Sequence, residues 1–174
     1  HGTRVAGIVG ATGDNGIGIT GVNWEVKLMI LSEGRSEDQV VEAMMYTHDM
    51  RKLYNETNGA EGAFVVAANY SLGIDQGDCV NTFTMWNPTL DMLGSVGILV
   101  IGATADQNWD VDELGDIPTT CTSDFMVAVT NTDQMDNKVI SAAYGPKSVD
   151  LGAPGNGTIT TSPGDAYWEE FGGT

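Results

Sequence analysis

The fold is decided by residues 63–102, which read AFVVAANYSLGIDQGDCVNTFTMWNPTLDMLGSVGILVIG. Two continuous apolar runs, Ala63–Asn69 and Gly97–Gly102, lie at its ends. Such runs are typical of strands that are covered on both faces of a parallel sheet. Between them, Thr82–Ser95 carries apolar side chains near the spacing of one helical face. A strand, a helix and a second strand in this order predict a β-α-β unit.

The same alternation extends outward in both directions. Ser36–Tyr54 is predicted to be a helix, because Ser36 is a good N-cap residue and apolar side chains follow at spacings near 3.6. Another helix is predicted over Gly2–Ala11. Further strands are predicted at Val26–Leu31, Phe125–Thr130 and Ser148–Leu151. We therefore predict one α/β domain over residues 1–174, with a mostly parallel central sheet and helices on both of its faces.

Size and charge exclude several classes of function. The chain has 174 residues, enough for one domain with a substantial core, and its formal net charge is -17. Nucleic-acid binding needs clustered Lys and Arg, so we expect no nucleic-acid partner. A membrane span would need about 18 consecutive apolar residues, and the sequence contains no such run, so no membrane partner is predicted. We expect the protein to be a monomer.

The sequence contains two cysteines, Cys79 and Cys121, whose spacing matches neither a CxxC pair nor a zinc site. In an extracellular protein they could form one disulfide. It would close a loop of about 40 residues, which the chain-entropy account values at roughly 4 kcal/mol. The alternative is a pair of free, buried thiols.

A histidine opens the chain in the stretch HGTRVAG, residues 1–7. At the start of a helix, and followed by small residues, its ring can project into a cleft while the helix packs closely on its neighbours. HGTRVAG resembles the histidine signature of the subtilase family of serine peptidases. Three later segments resemble motifs of that family in the same order. Asn69–Gly73 resembles its substrate-binding strand, Gly152–Gly155 its APG turn, and Phe171–Thr174 the start of the signature around its nucleophilic serine.

The resemblance implies a serine endopeptidase with an Asp-His-Ser triad and a subtilisin-like three-layer fold. His1 is then the residue that takes the proton from the serine hydroxyl and passes it to the leaving amine. The aspartate is expected upstream of His1 and the serine directly after Thr174. Residues 1–174 are thus expected to be part of a peptidase domain, with a sheet incomplete at both ends. With one triad member of three, they are expected to be inactive alone.

The resemblance also predicts where a substrate binds. One wall of the cleft corresponds to an edge that pairs with an extended peptide, and Gly73 leaves room there for a second backbone. The opposite wall consists of small side chains, and a proline loop closes the base of the pocket. The residues predicted to form this pocket are Ser71, Leu72, Gly73, Gly102, Ala103, Thr104 and Pro118. The family analogy favours apolar or aromatic substrate side chains in it.

The position that should stabilise the oxyanion departs from the family pattern. The family has an asparagine after the small residues of the second wall, whereas ungapped alignment places Asp106 there. An ionised carboxylate cannot donate a hydrogen bond, and losing that donor costs about 2.7–4 kcal/mol, a magnitude established for a member of this family. Three interpretations remain. Asp106 is kept protonated by the site, a two-residue shift brings in Asn108, or Asp106 marks a weak or inactive member.

A glycine-rich loop, residues 13–19, follows the first predicted helix, where many subtilases bind calcium. Its side-chain and carbonyl oxygens are ligands that suit this hard cation. The candidate ligands are Asp14, Asn15, Ile17 and Ile19. The alternative is a plain glycine-rich turn.

The resemblance thus predicts a secreted endopeptidase that acts on proteins or peptides and needs no cofactor for its chemistry, with structural calcium as a candidate addition. The alternative function is that of a catalytically weak or inactive peptide-binding relative. Asp106 is the feature that favours this alternative.

Overall fold

The computed structural model describes residues 1–32 and 36–174. The described helices are α1 (Gly2–Gly10), α2 (Glu37–Glu56), α3 (Trp86–Ser95) and α4 (Val111–Leu114). The described strands are β1 (Ala67–Tyr70), β2 (Ile74–Asp75), β3 (Leu99–Ala103), β4 (Asp116–Ile117), β5 (Met126–Thr132), β6 (Leu151–Pro154), β7 (Thr158–Ser162) and β8 (Ala166–Phe171). None of the described helices is both long enough and apolar enough to cross a membrane.

The central sheet has the strand order β1-β3-β5-β6, and each neighbouring pair is parallel. The predicted β-α-β unit is formed by β1, α3 and β3, in which Tyr70 is in register with Gly102. The prediction of an α/β fold with a mostly parallel sheet is therefore confirmed. Because neighbouring strands run in parallel, their carboxyl ends meet at one edge of the sheet, where ligands bind in folds of this kind.

The main core lies where α2 and α3 pack together and against this sheet. Its fully buried side chains include Met44 from α2, Leu90 from α3 and Val100 from β3. A disulfide joins Cys79 to Cys121, with their Cα atoms 5.2 Å apart, and Cys79 belongs to the same core. The two cysteines, whose state the sequence left open, therefore form a disulfide. The bond joins the turns that precede α3 to the segment around Cys121.

Helix α1 packs on a small antiparallel hairpin formed by β7 and β8. The hydroxyl of Thr160 donates a hydrogen bond to the carbonyl of Arg4 at 2.6 Å, and that of Thr161 donates to the carbonyl of Thr3 at 2.8 Å. A β-carbon added to Gly7 would lie 2.3 Å from Thr161 Oγ1. Glycine is therefore what allows the helix to approach the strand this closely.

Two predicted elements need correction. Val26–Leu31 is not a strand, and its apolar side chains are partly exposed, including Ile30 at 72%. A strand requires a hydrogen-bonded neighbour, and none of the described strands pairs with this segment. The helix predicted from Thr82 begins only at Trp86, since the amides of Val80 and Asn81 donate to the Asp78 carboxylate and hold residues 78–83 in turns.

The remaining predictions differ from the structure mainly at the element ends. Ser36 is the N-cap of α2, as expected, and α1 ends at Gly10 rather than Ala11. The predicted strands are shifted toward the carboxyl end of the chain, most for Ser148–Leu151, which becomes Leu151–Pro154. The antiparallel pairs β2-β4 and β7-β8 were not predicted.

Candidate active-site cleft

A cavity of about 510 Å³, called the cleft below, lies at the carboxyl ends of the strands of the central sheet. It is bordered by α1, by the segments that follow β1 and β3, and by the last residues of the chain. Of the residues predicted from the sequence to act in the site, those that line it are His1, Ser71, Leu72, Gly73, Ala103, Thr104 and Asp106. The tertiary structure thus brings together segments that are more than 100 positions apart in the sequence.

His1 lies at the N-terminus of α1, at one side of the cleft. Its ring is next to that of Phe171, with 5.9 Å between the ring centroids. The position of the ring depends on α1, which is held by the hydrogen bonds from Thr160 and Thr161. His1 and the end of the 171–174 segment line the same cleft.

The first wall of the cleft is the segment after β1. The side-chain amide of Asn69 donates a hydrogen bond to Ser71 Oγ at 2.9 Å. Gly73 is in close contact with the strand behind it, and a β-carbon there would lie 2.3 Å from the carbonyl oxygen of Ile117. This wall offers backbone groups and small side chains, which suits an extended peptide.

The second wall is the segment after β3, and it contains Asp106. One carboxylate oxygen of Asp106 accepts hydrogen bonds from the amide of Thr174 at 3.0 Å and from its hydroxyl at 3.3 Å. Asn108 lies outside the lining of the cleft, and its side-chain oxygen accepts a hydrogen bond from Lys138 Nζ at 3.1 Å. Of the two residues considered for the oxyanion position, the structure brings Asp106 to the cleft.

Gly102 and Pro118, which were predicted to form the pocket, are not among the residues that line the cleft. A β-carbon at Gly102 would be 2.5 Å from Pro118 Cγ, so the two residues pack against each other. The Ile117–Pro118 peptide bond is cis. Their predicted contact with a substrate stays a prediction.

The residue that sequence reasoning missed is Asp116, which lines the cleft and is 1% exposed. Its Oδ2 atom accepts a hydrogen bond from the hydroxyl of Thr119 at 2.6 Å and from the amide of Ala105 at 3.1 Å. Burial raises the pKa of Asp116 to about 6, against the lowering effect of these two hydrogen bonds, and the nearby charge of Asp75 raises it further. The sequence did offer one signal for Asp116, since this carboxyl group lies two residues before Pro118, the proline predicted to close the pocket.

The loop considered for calcium lies outside the lining of the cleft. The side-chain oxygen of Asn15 accepts a hydrogen bond from the amide of Ile17 at 2.9 Å, which forms a local turn. Asp14, with a φ of 53°, is the single carboxylate among the candidate ligands, and the described residues contain no cluster of three or more acidic, histidine or cysteine ligands. This donor set is incomplete for Ca²⁺, which takes six to eight oxygen ligands, and calcium binding through Ile17 and Ile19 carbonyls stays a prediction.

The sequence model of the subtilase family matches the chain over residues 1–174. The chain is 27% identical over 164 residues to an extracellular basic protease of Dichelobacter nodosus, covering 92% of this chain and 25% of that protein. It is 28% identical over 179 residues to alkaline elastase YaB of a Bacillus species, covering 100% of this chain and 40% of that protein. The chain therefore spans less than half the length of these curated relatives.

The fold is also similar to that of solved proteases. A protease from Pseudoalteromonas arctica superposes with a TM-score of 0.76 at 21% identity, covering 99% of this chain and 53% of the other. At this level of identity the likeness concerns the fold. It agrees with the parallel sheet described above.

Proposed function

The chain belongs to the subtilase family, and from this premise we propose that the protein is a secreted serine endopeptidase in which His1 transfers the proton. The observation that carries the proposal is that His1 and Thr174 line one cleft from opposite ends of the sequence. In the proposed reaction, the His1 ring takes the proton of a serine hydroxyl during attack on the peptide carbonyl, then gives it to the leaving amine.

The aspartate and the serine of the triad lie outside residues 1–174 in this proposal. A serine hydroxyl is a weak nucleophile without its base, and the base needs a partner that fixes its tautomer. Residues 1–174 alone are therefore expected to hydrolyse no peptide at a useful rate. The proposed substrates are proteins or extended peptides, which the wall of Ser71, Leu72 and Gly73 can bind through their backbone.

The proposal assigns the oxyanion side of the cleft to Asp106, because this residue contacts Thr174 and Asn108 does not line the cleft. An ionised carboxylate there opposes the negative charge of the tetrahedral intermediate. A protonated Asp106 could donate a hydrogen bond instead. The backbone amides around Thr174 would then share the stabilisation of that charge.

Secretion is part of the same proposal. The Cys79–Cys121 disulfide supports it, because such bonds persist in oxidising compartments. The first relative above is itself named an extracellular protease.

The test is fluorophosphonate labelling and peptide hydrolysis by the full-length protein, with two histidine variants. We expect labelling of one serine, and a loss of about 10⁴–10⁶ in kcat for His1→Ala. His48→Gln is the matched control, because His48 is buried in α2, where its ring contacts Asp49 at 2.9 Å. An active enzyme whose kcat does not depend on His1 would contradict the proposal.

The alternative function is peptide binding without effective catalysis, and the carboxylate of Asp106 in the cleft is the observation that favours it. The same experiment separates the two. Binding of an extended peptide by calorimetry, with no serine labelled and no hydrolysis, would establish the alternative.

A further inference from the structure

Three asparagines of the chain are directly followed by glycine: Asn15, Asn58 and Asn156. An asparagine in this position can lose its side-chain amide without an enzyme, because the backbone nitrogen of the next residue can attack the side-chain carbonyl carbon. Glycine favours the attack, since it has no side chain that shields the nitrogen and its backbone is conformationally free. Which of the three sites reacts then depends on whether the two reacting groups are free in the folded chain.

Hydrogen bonds engage a reacting group at two of these sites. The side-chain oxygen of Asn15 accepts a hydrogen bond from the amide of Ile17 at 2.9 Å, which holds the carboxamide in a local turn. At Asn58 the attacking nitrogen is engaged, since the amide of Gly59 donates to the carbonyl of Tyr54 at 2.9 Å, just after the end of α2. Attack at either site must first break a hydrogen bond that holds the turn.

Both reacting groups are free at Asn156. This residue lies in the exposed turn between β6 and β7, and none of the described residues forms a hydrogen bond with its side chain or with the amide of Gly157. A β-carbon added to Gly157 would meet nothing within 4 Å, so no neighbouring segment crowds the turn at this point. The structure therefore distinguishes Asn156 from the other two asparagines.

The turn that contains Asn156 packs against the last segment of the chain. A β-carbon at Gly155 would lie 2.6 Å from the carbonyl oxygen of Gly173, and one at Gly172 would lie 3.4 Å from Asn156 Oδ1. All three glycines also line the cleft. A change in the length or the charge of the turn therefore acts directly on the two glycines that precede Thr174.

We propose that Asn156 is a site of spontaneous deamidation, with water as the second reactant. The nitrogen of Gly157 bonds to Cγ of Asn156, the bond from Cγ to Nδ2 breaks, and ammonia leaves with the proton of the Gly157 amide. Water then opens the resulting cyclic imide. Opening at Cγ gives aspartate, and opening at the backbone carbonyl carbon gives isoaspartate, in which the main chain runs through the side-chain methylene. Neither step oxidises or reduces the protein.

The products change the surroundings of the cleft. Both add a carboxylate, and isoaspartate also lengthens the main chain by the side-chain methylene. Because the turn packs on Gly172 and Gly173, isoaspartate displaces the segment that ends at Thr174 and loosens its two hydrogen bonds to Asp106. On the premise of the function proposed above, the enzyme then loses activity with age, since its serine is expected directly after Thr174.

The test incubates the full-length protein at pH 8 with a reversible peptide aldehyde inhibitor, which prevents self-digestion and is removed before each assay. Peptide mapping by mass spectrometry locates the conversion of amide to acid, and methylation by an isoaspartyl methyltransferase detects isoaspartate. We expect the modified fraction at Asn156 to be several times larger than at Asn15 or Asn58, and isotopically labelled water to leave its oxygen at this site. Modification that occurs first at Asn15 or Asn58, or that spares Asn156, would overturn the inference.

Two variants connect the modification to the cleft. Asn156→Gln keeps an amide but needs a larger ring for the same attack, so it should keep its kcat/KM during the incubation. The wild type should lose kcat/KM in proportion to the modified fraction. Asn58→Gly is the matched control, because it removes another Asn-Gly pair at a φ of 52° that suits glycine, and it should age as the wild type does. Equal losses in the wild type and in Asn156→Gln would refute the proposed effect on the cleft.

Amide hydrogen exchange distinguishes failure of this inference from failure of the proposed function. If the protein hydrolyses no peptide, faster exchange of residues 171–174 in the modified wild type than in incubated Asn156→Gln still supports the inference. Modification at Asn156 that changes neither this exchange nor the activity contradicts it. Peptide hydrolysis by a protein that stays unmodified at Asn156 would leave the peptidase function standing alone.

Discussion

Thr174 donates two hydrogen bonds to one carboxylate oxygen of Asp106. The backbone amide of Thr174 lies 3.0 Å from that oxygen and its hydroxyl 3.3 Å. The contact links the segment after β3 to the last residues of the chain, across 68 positions of sequence. Both residues line the cleft, as His1 does. The contact also places a negative charge where the proposed reaction needs a hydrogen-bond donor.

Asp106→Asn in the full-length protein should raise kcat. The asparagine amide can donate to the oxyanion, and such a donor contributes about 2.7–4 kcal/mol in related sites. That contribution corresponds to a gain of about 100- to 1000-fold in kcat, and the asparagine oxygen can still accept from Thr174. Steady-state kinetics with one peptide substrate provide the measurement. Asp106→Ala is the control that removes the charge without adding a donor, and an unchanged kcat for the asparagine variant would remove Asp106 from the oxyanion site.

The pKa of Asp116, raised to about 6 by burial, makes this residue a source of pH-dependent instability. In the unfolded chain its pKa is close to 3.8. The folded protein therefore binds the proton more tightly, and its free energy of unfolding falls as the pH rises from about 4 to about 6. Above about pH 6, the ionised Asp116 lowers the free energy of unfolding by at most about 3 kcal/mol.

Asp116→Asn should accordingly stabilise the protein at pH 8 and have little effect at pH 4. Urea unfolding of the fluorophosphonate-inactivated protein at both pH values measures the difference without self-digestion. Asp124→Asn, at an exposed position, is the control for the loss of one carboxylate. If the effect of Asp116→Asn were the same at pH 4 and pH 8, the raised pKa would be refuted.

Gly7→Ala should lower both stability and kcat, because the new β-carbon would lie 2.3 Å from Thr161 Oγ1 and 2.7 Å from Thr160 Oγ1. Both hydroxyls already donate to carbonyls of α1, so they cannot turn away without losing a hydrogen bond. Overpacking of this kind costs about 1–3 kcal/mol. The helix would shift and carry His1 with it.

Gly2→Ala is the matched control, because a β-carbon at Gly2 meets nothing within 4 Å on the same helix. Thermal unfolding and kcat/KM should separate the two variants. Equal behaviour of the two would show that the close approach of α1 to β7 does not position His1.

Replacing both Cys79 and Cys121 by alanine should lower the free energy of unfolding by about 2–4 kcal/mol, through the larger conformational freedom of the unfolded chain. Because Cys79 is also part of the main core, a packing loss adds to this effect. Urea unfolding with and without a reducing agent gives the measurement. The wild type should lose stability on reduction, whereas the double variant should be insensitive to it. A wild type that is equally stable when reduced would contradict the assigned role of the bond.

The sequence by itself determined the family and the alternation of strands and helices that forms the parallel sheet. Continuous apolar runs and helical spacing are local properties, so the β1-α3-β3 unit and the extent of α2 could be predicted from them. The motif around His1 and the segments at Ser71 and Phe171 are likewise short and readable without a structure. The Val26–Leu31 prediction failed because a strand also depends on a partner, which an apolar run does not report.

Only the tertiary structure decided which of these residues meet. Asp106 rather than Asn108 reaches the cleft, because the chain after β3 turns so that Asn108 contacts Lys138 instead. Asp116 shows the same limit, since its burial and its raised pKa depend on packing and on a neighbouring charge, that of Asp75, which lies 41 positions earlier in the sequence. Charge and hydrogen bonding depend on distances in space, and the chain sets those distances only once the sheet, α1 and the last segment have packed together.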